Sequence, residues 1–171
     1  SKLAARAKVA GLQPEVVNVK DYEVESLASE RLAVVIISTY ADAKPPESAA
    51  WFCRWLDESA TDFRVGAGML QDMRYAVFGC GNQLYGDNFN TVGKAVDARI
   101  SAMGARQLLP VGLGNEDSND MEAQFDEWCH RLLAAMQSQE GLGKVYNQAP
   151  VAAAGGGEGS DDEEGGEGGG E

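Results

Sequence analysis

A chain of 171 residues, 44 % hydrophobic and with a formal net charge of −13, has the length of one ordinary domain. It contains no run near the roughly 18 apolar residues that a membrane span requires. Seven acidic residues and no basic one stand from Val151 onward, leaving −6 on residues 1–150; such a body lacks the clustered Lys and Arg of a nucleic-acid backbone binder and suits docking on a basic protein surface or plain solubility.

Residues 1–10, rich in Ala, Lys and Leu, predict a helix that Gly11 ends. The β-branched run at 14–19 predicts a short strand. Residues 32–38, Leu-Ala-Val-Val-Ile-Ile-Ser, form the strongest strand pattern, continuous and apolar as in a parallel sheet buried on both faces. After Pro45 and Pro46 a helix begins near Glu47, with Phe52 and Leu56 four apart and Trp51 and Trp55 likewise. Residues 75–78 predict the next strand, running into a glycine-rich turn. Phe89, Val92, Val96, Ile100 and Met103 recur at helical spacing, and Gly104 is the stop. Residues 107–111 predict a strand. Met121, Phe125, Trp128, Leu132 and Met136 mark the inner face of a last helix, capped by Asp117, Ser118 or Asn119. This alternation implies a parallel sheet covered on both faces. From Ala152 onward the chain is nearly all Gly, Ala, Glu and Asp, so 139–171 is expected to be an acidic, Gly-rich disordered linker.

Cys53, Cys80 and Cys129 are too widely spaced for a C-x-x-C motif. An odd thiol count with no signal-peptide pattern at the start predicts a reducing, cytoplasmic setting. No nucleophile–base pair and no metal set is legible. His130, mid-helix beside Trp128, reads as a surface or packing residue.

Three polar stretches follow successive strands, and in an open α/β sheet that edge binds ligands. Ser38, Thr39, Tyr40 and Asp42 form the first; a polar connection into the next helix explains them equally well. Gly79, Gly81, Asn82 and Tyr85 form the second. Glycines there let a backbone approach a ligand or supply positive φ in a turn, and Tyr85 offers a flat stacking face. The third, 111–117, carries Gly112, Gly114, Asn115, Glu116 and Asp117. It is acidic and lacks a full G-x-G-x-x-G, which disfavours phosphate and leaves an edge contact to a ring or a simple capped turn. Taken together, the three predict a site for a planar cofactor.

These residues resemble a known family. Thr39-Tyr40 with the proline-rich turn, Tyr75 to Gly79 with Gly81, Asn82 and Tyr85, Phe89-Asn90 with Gly93-Lys94 and Asp97, and Gly112 with Gly114 are similar to the FMN-binding flavodoxin domains of diflavin reductases. The stretch 38–56, with Asp62-Phe63-Arg64 and 73–79, is more narrowly similar to the flavodoxin region of eukaryotic tRNA wybutosine-synthesizing proteins. That family joins a flavodoxin domain to a radical-SAM domain through an acidic linker.

The resemblance implies a flavodoxin-like, doubly wound α/β domain over 1–138, with five parallel strands in the order 2-1-3-4-5. The first strand and its phosphate loop would lie ahead of Ser1, outside these residues, so the 171 residues alone are expected to bind FMN weakly. Tyr40 and Tyr85 would flank the ring. Ser38, Thr39, Ala41, Gly79, Cys80, Gly81, Asn82, Phe89 and Asn90 would lie in the binding loops, with Glu116 and Asp117 near the ring edge.

The implied role is delivery of electrons from FMN to the iron–sulfur cluster of a radical-SAM domain in the same polypeptide, which uses S-adenosylmethionine to modify tRNA. This domain itself would not touch nucleic acid or membrane. Two alternatives stand beside it: the FMN domain of an NADPH-dependent diflavin reductase, and a flavin-free docking domain. Diflavin reductases usually carry glycine at positions 41 and 43; this chain has Ala41 and Ala43, and alanine disfavours positive φ.

Overall fold

A computed structural model describes residues 1–64 and 66–138. Among these residues four helices, α1 (Lys2–Val9), α2 (Ala50–Thr61), α3 (Thr91–Ala102) and α4 (Met121–Gln137), cover four parallel strands. The strands are β1 (Leu32–Ser38), β2 (Arg74–Gly81), β3 (Arg106–Gln107) and β4 (Gly112–Asn115). The expected linker at 139–171 lies outside the described residues.

Strand β2 is central. It pairs with β1 from Leu32↔Arg74 to Ser38↔Cys80. Its other edge takes β3 at Arg74↔Arg106 and then β4 from Phe78↔Gly112 to Gly81↔Asn115. Side chains of β2 alternate between two cores, as the strand period requires. Tyr75 and Val77 join Phe52 and Leu56 of α2 and Val92, Val96 and Ile100 of α3. Ala76 and Phe78 join Leu3 of α1 and Trp128, Leu132 and Met136 of α4. Leu56 is completely buried, a contribution of roughly 1.5–3 kcal/mol for such a side chain. Helices on both faces of a parallel sheet are the doubly wound arrangement expected.

Four expectations need correction. Residues 14–19 form no strand. Pro14 has no N–H to give a ladder, no strand lies alongside among the described residues, and Val16 and Val17 are 63 % and 44 % exposed. A lone extended run does not hold in water, and Asn18 Oδ1 instead accepts from the Lys20 N–H at 3.2 Å, turning the chain into a 3₁₀ turn.

Second, β1 has the expected bounds but not the expected burial. Among the described residues only one of its edges is paired, and Ile36 is 46 % exposed.

Third, residues 107–111 are not one strand. β3 and β4 flank 108–111, where Pro110 cannot donate to a ladder. The glycine-bearing stretch read as a loop after that strand is largely β4 itself. A Cβ at Gly112 would fall 2.4 Å from Phe78 Cδ2 and 2.7 Å from Trp128 Cδ1, so glycine there admits two aromatic rings onto the strand.

Fourth, none of the three expected residues is the N-cap of α4. That position belongs to Asp120, whose side chain makes no cap bond. Ser118 Oγ instead accepts from the Asp120 N–H at 3.3 Å and donates to the Asn115 carbonyl at 2.9 Å.

Candidate cofactor cleft

The carboxyl ends of β1, β2 and β4 open onto one cleft of about 660 Å³, within the ordinary range for small-molecule sites. Ser38, Thr39, Tyr40, Ala41 and Asp42 line it from β1. Cys80, Gly81, Asn82 and Tyr85 line it from β2. Glu116 and Met121 close the far side. Tyr40 and Tyr85 are 56 % and 39 % exposed, so both phenol rings stand at the mouth.

Backbone hydrogen bonds carry the ladder past the strand ends and fix these walls. The Thr39 N–H donates to the Cys80 carbonyl at 2.9 Å, and the Glu116 N–H donates to the Gly81 carbonyl at 2.9 Å. Thr39 is buried, and its Oγ1 accepts from the Val92 N–H at 3.1 Å. It thereby satisfies one of the orphan donors in the first turn of α3.

The first loop closes on itself. The Tyr40 N–H bonds the Lys44 carbonyl and the Ala43 N–H bonds the Tyr40 carbonyl, both at 3.0 Å. Ala43 takes a left-handed conformation, φ 63°, despite its side chain. Asn88 Nδ2 donates to the Ala41 carbonyl at 3.0 Å and ties this loop to the Tyr85 segment. Lys44 sits 2.8 Å from Asp42 and, chiefly through that hydrogen bond, holds the exposed Asp42 carboxyl below its usual range.

The Tyr85 segment is braced from two sides. Asn82 caps it, accepting from the Leu84 N–H at 2.9 Å. Asn115 accepts from the Gln83 N–H at 2.9 Å and from the Asp117 N–H at 3.2 Å, and donates to Gln83 Oε1 at 3.1 Å.

Nine of the thirteen residues expected at the site line this cleft: Ser38, Thr39, Tyr40, Ala41, Cys80, Gly81, Asn82, Tyr85 and Glu116. Gly79, Phe89, Asn90 and Asp117 do not. Phe89 lies half-buried with Lys94 Nζ 5.5 Å from its ring centroid. Asp117 is exposed beyond the cleft. Asn90 is completely buried. Gly79, Cys80 and Gly81 are strand residues rather than a turn, and neither glycine has positive φ. A Cβ at Gly79 or Gly81 would fall 2.8 or 2.9 Å from Asn90 Oδ1, so these glycines make room for a buried carboxamide.

Met121 lines the cleft without having been expected there; Asp42 and Asn115 belong to the first and third polar stretches, and Asp42 lines the cleft while Asn115 braces it. An asparagine bonding the N–H two residues on is a turn signature, and that was the available signal for Asn115. Among the described residues the lining contains hydroxyls, an amide, two phenols and the Asp42 and Glu116 carboxylates but no cation. Such a set fits a flat polar ring and does not fit a phosphate. Cys80 is pushed up, first by burial and then by the Glu116 carboxylate, which keeps its thiol protonated.

A family model described as Flavodoxin matches residues 1–128. The chain belongs to the flavodoxin family. Relatives of this flavodoxin domain include S-adenosyl-L-methionine-dependent tRNA 4-demethylwyosine synthases. That of Xenopus laevis is 37 % identical over 146 residues, 80 % of this chain and 20 % of the relative. That of Arabidopsis thaliana is 38 % identical over 132 residues, 75 % of this chain and 20 % of the relative. That of Homo sapiens is 38 % identical over 133 residues, 72 % of this chain and 18 % of the relative. The flavodoxin domain thus spans about a fifth of the length of these relatives.

Among solved structures, a single-site cysteine mutant of Pseudomonas aeruginosa flavodoxin superposes with a TM-score of 0.63 at 19 % identity, covering 78 % of this chain and 85 % of that one. Flavodoxin of Streptococcus pneumoniae gives 0.58 at 21 % identity, covering 77 % and 85 %. Both show the same flavodoxin-like fold.

Proposed function

We propose that this flavodoxin domain binds FMN and supplies electrons to a radical-SAM iron–sulfur domain of the same polypeptide, in an enzyme of the tRNA 4-demethylwyosine synthase class. The observation that carries the reading is the cleft mouth: two tyrosines at the carboxyl edge of a flavodoxin-type sheet, in a chain 35–39 % identical to those synthases.

Bound FMN supplies a carrier that accepts two electrons and releases them singly. Tyr40 and Tyr85 would hold its ring by stacking. Backbone groups of Ala41, Gly81 and Asn82 would meet the ring edge. Asp42 and Glu116 place negative charge at the cleft, which disfavours an electron-rich reduced ring and lowers its potential.

Full-length protein, purified with its cofactors and stripped of oxygen, tests this. Reduction of its bound FMN is expected to be followed by reduction of the cluster, read as loss of cluster absorbance. A cluster that stays oxidised beside fully reduced FMN would overturn the electron-supply reading.

A further inference from the structure

We propose that Asn90 is a positioning residue that sets the spacing between the β2 and β4 walls of the cleft; its effect on cofactor rests on the flavin reading above. Asn90 is completely buried and left-handed, with φ 54° and ψ 27°. It occupies the N-cap position of α3 yet makes no side-chain cap bond. Thr39 Oγ1, reaching across from the end of β1, bonds the Val92 N–H in its place.

The Asn90 carboxamide is directed at the sheet instead. Its Nδ2 donates to the Gly114 carbonyl of β4 at 3.0 Å. Among the described residues its Oδ1 is buried without a hydrogen-bond partner, and it lies against the Gly79 and Gly81 backbone of β2. A buried polar atom left unpaired is costly, and asparagine is among the few non-glycine residues that tolerate this backbone. Both costs are borne at the point where the ends of β2 and β4 meet the start of α3. Directly beyond it, Gly81 and Glu116 are joined by the backbone bond that closes the cleft floor. Removing the carboxamide frees the Gly114 carbonyl and opens a gap under Gly81, so both walls lose their common stop.

The test uses full-length protein carrying Asn90→Gly, which keeps the left-handed backbone without strain, and Asn90→Asp, which keeps the size but loses the donor. In flavin-free protein, hydrogen exchange over 79–85 and 112–117 is expected to quicken about tenfold in both variants, the fold-change of one buried hydrogen bond, with 32–37 unchanged. In FMN titrations Kd is expected to rise about tenfold, and the visible circular dichroism of bound FMN to change.

Unchanged exchange at both segments overturns the proposal whatever the flavin does. Faster exchange with unaltered Kd and dichroism shows a merely structural residue and also overturns it. A wild type that binds no FMN overturns the flavin reading and its consequence here, while the exchange measurement still decides whether Asn90 is the joint.

Discussion

Ala43 holds a left-handed backbone, φ 63°, where a methyl group is unfavourable. For an L-residue that conformation costs roughly 1–2 kcal/mol. The surrounding loop enforces it: the backbone bonds from Tyr40 N–H to the Lys44 carbonyl and from Ala43 N–H to the Tyr40 carbonyl, the Asp42–Lys44 ion pair, and the Asn88 bond to the Ala41 carbonyl. Ala43→Gly removes the strain but gives the unfolded chain more freedom, which offsets part of the gain. The variant is expected to be more stable by about 0.5–1 kcal/mol, read from urea denaturation midpoints. A loss of stability would show that Ala43 is held by packing of its methyl group and not strained. Chemistry in this loop was legible in the sequence through the residue types Ser38 to Asp42. The positive φ was not, because alanine gives no local signal for it.

At the scale of elements, β4 exists because two of its residues have no side chain. The Cβ of Gly112→Ala would meet two rigid aromatic rings, Phe78 and Trp128, which themselves pack 5.2 Å apart between centroids. Both rings are buried, so the variant is expected to lose about 1–3 kcal/mol of stability, measured by chemical denaturation. An unchanged midpoint would contradict this packing account.

The same non-local logic explains what the sequence conceals. β1 was legible to the residue because six consecutive apolar residues, four of them β-branched, need no context. The inner faces of α3 and α4 were legible from their spacing. Gly79 and Gly81 suggested a turn, but their reason is Asn90, nine or more residues away in the chain and in contact only after folding. The run at 14–19 has the composition of a strand, but composition cannot supply a ladder partner.

Among the described residues burial makes several groups resist ionisation, and three of them shift furthest. Burial, then Glu30, pushes Tyr22 up to about 12, and burial, then Asp97, does the same for Tyr75. Burial, then Asp57, pushes Cys53 up to about 11 from an ordinary thiol value of 9.0. In each case the unfolded chain gives up its proton first as pH rises. The stabilisation is therefore complete below about pH 9 and is lost as pH climbs through the folded values toward 12. Urea midpoints are expected to fall steadily above about pH 9; a flat profile to about pH 11 would contradict the burial of these groups.

The cleft is tested most directly by titrating FMN into full-length protein, followed by quenching of flavin fluorescence, with Tyr85→Ala alongside. A stacking site between the two tyrosines predicts saturable 1:1 binding in the wild type and affinity about tenfold weaker in the variant, as expected for loss of one stacking face. Flavin fluorescence that stays at its free value throughout, or a Tyr85→Ala protein that binds as tightly as the wild type, would contradict it.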